Sequence, residues 1–161
     1  MRVGLISDTH GHLRPEVFDR LAGVERVLHA GDVGPPEILL DLAALAPVDA
    51  VWGNTDGWDL RDATSERLVL ELGGLRIAVV HGHRVADFDE LTAQFPGADA
   101  ILHGHSHVPR RDLVGGIWLL NPGSAGPGGE GWAPSVAIAE ISSGRLDVVH
   151  LDLRSGDVIS L

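Results

Sequence analysis

Ile101-Leu102-His103-Gly104-His105-Ser106-His107-Val108-Pro109 is the stretch from which the rest of this sequence is best read. An apolar run that ends on a glycine predicts a buried strand stopping at a sharp turn. His105 and His107 follow the glycine with one residue between them, so their imidazoles can converge on one polar pocket. Imidazole suits zinc, manganese, iron, nickel or copper, and ligands for such ions gather where strands run out into loops. A single His-x-His is weak evidence, since such pairs are more often surface or satisfied core histidines than ligands. Four other segments that end in the same way make the metal reading the stronger one.

Working back to the N-terminus, Val3 to Ile6 predicts a strand, and Ser7-Asp8-Thr9-His10-Gly11-His12 predicts the loop at its end. Asp8 and His10 can share a site while Thr9 points away. Pro15 suits the first turn of a helix whose apolar face is Val17, Phe18 and Leu21. Glu25 to His29 repeats the first strand and closes on Ala30-Gly31-Asp32. Pro35-Pro36-Glu37 opens a second helix, and Pro47 ends it. Val48 to Trp52 then delivers Gly53-Asn54-Thr55-Asp56-Gly57-Trp58. This βαβαβ order predicts a parallel sheet with ligands at its carboxyl edge.

From Glu66 onward the pattern changes to hairpins. Arg67 to Leu72 and Leu75 to Val80 flank Gly73-Gly74, and the second of them ends on His81-Gly82-His83. A short helix is expected around Asp89 to Phe95, followed by the strand Ala98 to Leu102. Arg111 to Val114 and Ile117 to Leu120 pair across Gly115-Gly116. Asn121 to Pro134 is a glycine-rich loop, too long and too small in its residues to be a packed element. Val136 to Ile141 and Arg145 to Leu151 form the last hairpin. No linker divides the chain, so residues 1–161 are expected to form a single domain.

Composition excludes several classes. There is no cysteine, which removes disulfides, thiolate metal sites and thiol nucleophiles. The N-terminus reaches Ser7 and Asp8 too soon for a signal peptide, and no apolar run approaches the length needed to span a membrane, so the cytoplasm is the expected compartment. Twelve basic residues, all arginine, stand against 23 acidic ones, a formal charge of −11. Long nucleic acid and anionic membranes are therefore poor partners. No G-x-G-x-x-G follows the first strand, which removes the dinucleotide-binding reading.

Asp8, His10, Asp32, Asn54, His81, His105 and His107 are seven oxygen or nitrogen ligands from five strand ends. That is more than one ion needs, and it suits two divalent cations sharing a carboxylate. In order, Asp-x-His, Gly-Asp, Gly-Asn-x-Asp, Gly-His and Gly-His-x-His resemble the five motifs of the calcineurin-like metallophosphoesterases. The short chain and Ser7-Asp8-Thr9-His10-Gly11 resemble most the small YfcE-like phosphodiesterases.

The resemblance implies an α/β fold, a four-layered α/β/β/α sandwich. It implies that Asp8, His10 and His107 hold one metal and that Asn54, His81 and His105 hold the other, with Asp32 bridging. The cofactors would be two divalent transition metal ions: manganese, iron, zinc or nickel. A hydroxide between them would attack the phosphorus of a small phosphate ester. Asp56, His29 and His103 are placed to orient the ligands, whereas His150 is far from every motif.

Two positions depart from the family's pattern. Thr55 stands where larger relatives carry a histidine that serves as general acid, and His12 is the candidate substitute. The segment after Asn121-Pro122-Gly123-Ser124 lacks the usual basic residue, which leaves Arg84, Arg110 or Arg111 for substrate anchoring. The alternative reading is a non-catalytic scaffold resembling the retromer subunit that shares this fold. Trp58 and Trp132, in expected loops, would close over a substrate or bury in a homo-oligomer interface.

Overall fold

The computed structural model describes all 161 residues. The first half alternates as read: β1 (Arg2–Ile6), α1 (Glu16–Arg20), β2 (Arg26–His29), α2 (Glu37–Leu42) and β3 (Val48–Ala50). Prolines 15 and 36 sit at the two helix starts, where a missing N–H costs nothing. The chain continues through α3 (Trp58–Ala63), β4 (Arg67–Leu72), β5 (Leu75–Val80), α4 (Phe88–Ala93) and β6 (Ala100–Leu102). It ends with β7 (Arg110–Val114), β8 (Ile117–Asn121), β9 (Ser135–Ser142), β10 (Arg145–Asp152) and β11 (Val158–Ile159).

Two sheets result. One has the order β11-β10-β9-β1-β2-β3 and the other β4-β5-β6-β8-β7. β1, β2 and β3 are parallel, as the βαβαβ reading requires. The second sheet is more than its two hairpins, because β6 pairs in parallel with both β5 and β8. Val3, Leu5 and Leu28 of the first sheet pack with Ile77, Val79, Leu102 and Leu120 of the second, forming the central core. Val17, Leu21, Ile38, Leu42 and Leu60 lay the first three helices on the outer face of the first sheet. Leu91 and Phe95 cover the outer face of the second. The four layers α/β/β/α are therefore present, each sheet burying both faces as its continuous apolar runs demand.

Three local expectations differ. Trp58 opens a helix rather than lying in a loop; one buried residue, Leu60, anchors it, too few for a periodic signal. α4 begins one residue earlier than expected because Asp87 accepts from the Glu90 N–H at 2.9 Å and caps it. The stretch Asn121 to Pro134 is not simply a surface loop. Residues 121–126 are buried, and Ala125 and Gly126 donate to the carbonyls of Ser7 and Asp8. No helix is long and apolar enough to cross a membrane.

Candidate metal centre

The loops after β1 and β2 are zipped together by backbone bonds from Asp8 to Gly31, His10 to Asp32 and Gly11 to Val33. The loops after β5 and β6 are joined by Gly104 N–H donating to the His81 carbonyl at 3.1 Å. These ties set the carboxyl ends of both sheets around one point. Asp8, Asp32 and His81 are fully buried there, while the rings of His10 and His107 close its open side.

Asp8 Oδ1 lies 3.3 Å from His107 Nε2, 3.8 Å from His10 Nε2 and 4.0 Å from His81 Nε2. Asp32 Oδ2 lies 3.2 Å from His81 Nε2 and 3.8 Å from His10 Nε2. Two groups of donor atoms follow, Asp8 with His10 and His107, and Asp8 with Asp32 and His81. Asp8 is common to both, whereas the resemblance implied that Asp32 alone is shared. Both carboxylates in fact face both groups.

Each carboxylate turns one oxygen inward because the protein holds the other. Ser7 Oγ donates to Asp8 Oδ2 at 2.6 Å, and the His105 N–H approaches the same oxygen at 3.1 Å. The Thr55 N–H donates to Asp32 Oδ1 at 2.9 Å. The imidazoles are oriented in the same way. His81 Nδ1 donates to the Ala30 carbonyl at 2.8 Å and His107 Nδ1 to the Gly128 carbonyl at 3.2 Å. With Nδ1 committed as donor, the neutral ring turns a bare lone pair at Nε2 toward the carboxylates. His81 Nε2 is buried, 3.2 Å from Asp32 Oδ2, yet without the alignment of a hydrogen bond. Lone pairs facing carboxylate oxygens repel unless a proton or a cation lies between them, so this donor set fits divalent metal.

The electrostatics express the same crowding. Burial opposes ionisation of Asp32, but His81 and the Thr55 N–H outweigh it and hold the carboxyl well below the usual range. Burial also opposes a charge on His81, and the neighbouring Asp32 and Asp8 override it, raising its pKa. The Asp8 contact raises His107 against a smaller cost of burial.

Five of the seven candidate ligands have a left-handed backbone: Asp8, His10, Asp32, His105 and His107, with φ between 49° and 68°. Ser143, in a hairpin turn, is the one other non-glycine residue with positive φ. Such strain is held where the surrounding structure enforces it, commonly at functional sites. At His107, where φ is 57°, His107→Gly should be about 1 kcal/mol more stable than His107→Ala. Urea unfolding of the two metal-free variants checks this.

The remaining expected residues divide. His105 places its ring 5.3 Å from that of His81, and Asn54 is exposed, next in the chain to Thr55, whose N–H reaches Asp32; neither joins the two tight groups. Asp56 does not touch a ligand side chain. Its two oxygens accept from the Gly34 and Gly53 N–H at 2.8 and 2.7 Å, which pins the loops flanking Asp32, a positioning role where a catalytic one was expected. His12 is exposed and its ring makes no hydrogen bond; its backbone N–H closes a turn on Thr9. The candidate anchors are engaged elsewhere, Arg84 with Glu66 at 2.9 Å, Arg110 with Asp112 at 2.8 Å and Arg111 with the Val148 carbonyl at 2.7 Å. Trp58 is exposed with the Arg61 guanidinium 5.8 Å from its ring, and Trp132 is half-buried. His150 donates to the Asn121 carbonyl, away from the cluster.

Two participants were missed. Ser124 Oγ donates to the Asp8 carbonyl at 2.9 Å, tying the glycine-rich segment under the site. His83 sets its ring 5.4 Å from His81 and 6.3 Å from His105; the repeated His-x-His spacing of His81-Gly82-His83 was its sequence signal.

His29 supports the loop from below. Thr9 Oγ1 donates its proton to the Val33 carbonyl and so accepts from His29 Nε2, while His29 Nδ1 accepts from the Gly31 N–H. Both ring nitrogens are thus satisfied in the neutral form, and burial lowers the pKa to about 3. The unfolded chain binds a proton here below about pH 6.5 and the folded chain does not. His29 therefore contributes stability fully present above that pH and lost progressively as pH falls toward about 3. At pH 5 the loss from this group is about 2 kcal/mol. Imidazole ¹⁵N shifts should show His29 still neutral at pH 5; a charged ring there would overturn this account.

Residues 1–144 match the family model for the calcineurin-like phosphoesterase superfamily domain. A probable metallophosphoesterase of Methanothermobacter thermautotrophicus is 37% identical over 133 residues, 77% of each chain. A phosphodiesterase of Methanocaldococcus jannaschii is 29% identical over 141 residues, covering 76% of this chain and 83% of its own. The crystal structure of Entamoeba histolytica Vps29 complexed with zinc superposes with a TM-score of 0.82 at 31% identity, over 99% of this chain and 96% of that one. With five motifs at five strand ends of a four-layered sandwich, the chain belongs to the calcineurin-like phosphoesterase superfamily.

Proposed function

We propose that the chain is a hydrolase of small phosphodiesters that works with two divalent cations. The observation that carries this is the convergence of Nε2 of His10, His81 and His107 on one oxygen each of Asp8 and Asp32. Cations bound there would supply Lewis acidity toward the phosphoryl oxygens and an acidified water. The chain's own residues do the positioning. Ser7, the His105 N–H and the Thr55 N–H aim the carboxylates, and the Ala30 and Gly128 carbonyls set the tautomers. Asp8 and Asp32 both face both groups, and His105, its ring 5.3 Å from that of His81, would complete the second position together with Asn54. The phosphodiesterase among the relatives supports the diester over the monoester.

Thr55 donates no proton at neutral pH, so esters whose leaving group departs unaided should be preferred. A positioned acid contributes about 10²–10⁴-fold, which sets the size of that preference. The test is turnover of bis(4-nitrophenyl) phosphate, 4-nitrophenyl phosphate and an alkyl diester with manganese, zinc, iron or nickel, alongside elemental analysis. Close to two equivalents of metal and fastest turnover of the nitrophenyl diester are expected. Full activity at one equivalent would overturn the two-cation assignment. The likeness to Vps29 favours a second reading, a metal-binding scaffold without catalysis, which would show bound metal and no turnover of any ester.

A further inference from the structure

The loop that carries Asn54 runs directly into α3, and Arg61 reaches back from that helix to the loop. Arg61 Nη2 donates to the Asn54 carbonyl at 3.3 Å. The N–H of the same peptide group belongs to Thr55 and donates to Asp32 Oδ1 at 2.9 Å. A single peptide plane therefore separates the guanidinium from a carboxylate of the candidate metal centre. That puts Nη2 within about 9 Å of Asp32 Oδ1. The guanidinium is also stacked. Its carbon lies 4.6 Å from the centroid of the half-buried Trp52 ring and 5.8 Å from that of the exposed Trp58 ring. Both distances are within reach of a cation–π attraction. Trp52 joins this cation to the centre by a second path. Its ring is 5.8 Å from that of His83, which lies 5.4 Å from His81 and 6.3 Å from His105.

Arg61 carries its charge without a counter-ion. Asp59 and Asp62 stand two residues before it and one after it on α3, both exposed, and those spacings do not bring helix side chains face to face. Glu66 pairs instead with Arg84 at 2.9 Å, and Arg84 sets a second guanidinium 5.5 Å from the Trp52 ring. Arg61 Nε is buried without a partner, whereas Nη1 makes no hydrogen bond and is not buried. The two indoles and the Asn54 carbonyl thus fix the head group, and Nη1 keeps both its N–H groups free. A guanidinium is charged at every working pH, and a fixed one loses little freedom when it binds. The chain as a whole has a formal charge of −11. Against that background, a held and unpaired cation within one Debye length of the centre is a local site for an oxyanion.

We infer that Arg61 anchors a second oxyanion of the substrate, a carboxylate or phosphoryl group at the end of the ester arm that stays attached to phosphorus. The inference rests on the phosphodiesterase reading for the reacting group itself. Cations held by Asp8 and Asp32 would take the oxygens of the reacting phosphoryl group. Arg61 lies one peptide plane beyond Asp32 and meets a group farther along the substrate. It supplies the anchoring expected of Arg84, Arg110 and Arg111, each of which is bonded elsewhere. Its role is specificity, since it touches neither a metal-ligand side chain nor the bond that breaks.

The test compares 3-carboxypropyl and 3-phosphonopropyl 4-nitrophenyl phosphate with butyl 4-nitrophenyl phosphate, all of which release nitrophenolate. In wild type the better of the two anionic esters should have a kcat/KM about tenfold above the butyl ester, expressed in KM, as one charge-assisted contact provides. Which of the two leads identifies the oxyanion as carboxylate or phosphoryl. The preference should shrink as salt is raised. Arg61→Met keeps an unbranched side chain against both indoles and should erase the preference, whereas Arg61→Lys should keep its sign. Independently of turnover, 3-carboxypropyl or 3-phosphonopropyl phosphate added to the zinc-loaded protein should shift the ¹⁵N–H resonance of Arg61 Nε, identified by its absence from Arg61→Met. Butyl phosphate should not shift it. Equal kcat/KM for all three esters, or an unmoved Arg61 resonance, overturns the anchor and leaves the hydrolase reading intact. An equal fall in kcat on all three esters in Arg61→Met, with weakened zinc binding, would make Arg61 a support for the Asn54 loop and also overturns the anchor. Absence of turnover with every ester, while Arg61 still responds, overturns the hydrolase reading and keeps the anchor.

Discussion

Asp8→Asn should abolish metal binding and hydrolysis while leaving a folded protein. Asp8 is the carboxylate common to both donor groups, with Oδ1 within 4.0 Å of three imidazole nitrogens. Loss of a residue that merely orients a ligand already costs about 10–100-fold in affinity, so loss of this oxygen's charge should cost more than about 100-fold. Turnover should fall by at least about 10²–10³-fold, the size attached to one lost electrostatic group in a preorganised site. The fold should survive because the asparagine Oδ1 can still accept from Ser7 Oγ and the His105 N–H. Asp56→Asn is the informative contrast. Both Asp56 oxygens accept from backbone N–H groups, so an amide there sets donor against donor and costs about 1–3 kcal/mol of stability. Its effect on metal affinity should stay within about 10–100-fold. Metal titration and urea unfolding of both variants separate the roles. Wild-type metal affinity in Asp8→Asn would refute the placement of the centre.

Gly104→Ala is the second large effect, and it comes from space rather than charge. A Cβ at Gly104 would overlap Ser7 Oγ, stand 2.7 Å from Asp8 Oδ2 and 3.1 Å from the Ala30 carbonyl. All three are short or backbone groups that cannot swing away, and Asp8 is fully buried. Overpacking of this kind costs about 1–3 kcal/mol. Here the displaced atoms are those that aim the Asp8 carboxylate, so metal affinity should drop by at least about tenfold as well, by the second-shell argument. Gly57→Ala is the control. Gly57 lies on the loop that carries Asn54, has a negative φ, and a Cβ there meets nothing within 4 Å. It should leave stability and metal binding unchanged within about 0.5 kcal/mol. Isothermal titration with zinc and thermal unfolding of the two variants give the comparison. Equal behaviour would show that the approach of Gly104 to Asp8 is not required.

How much of this was legible beforehand can be judged residue by residue. The runs Val3 to Ile6 and Glu25 to His29 announced buried parallel strands, because a strand covered on both faces must be apolar without alternation. The prolines at 15 and 36 announced where the first two helices begin, because proline removes a donor and fixes φ, whereas the second helix ends at Leu42, five residues before Pro47. The five side chains gathered into the two donor groups, Asp8, His10, Asp32, His81 and His107, were legible as candidates because each lies just beyond an apolar run in a glycine-containing turn. That pattern is local, and a strand end on a parallel sheet can only deliver its residues to the carboxyl edge. α3 was not legible, since a single buried residue, Leu60, leaves no periodicity to read.

Other properties exist only in three dimensions. Asp8 is shared between both donor groups because the loops after β1 and β2 are zipped together while β6 brings His105 and His107 in from the other sheet. Asp56 spends both oxygens on backbone amides from two different loops, which no spacing rule could distinguish from an oxygen offered to metal or substrate. The left-handed backbone at Asp8, His10, Asp32, His105 and His107 is likewise decided by the surrounding structure, because even Asp and His adopt that conformation only as a minority and nothing local marks which of them do. Residue type and order along the chain thus determined which side chains could bind metal and at which end of which strands. Which oxygen each carboxylate turns inward, and which nitrogen each imidazole presents, was decided by hydrogen bonds from segments up to about a hundred residues away, such as that from the His105 N–H to Asp8.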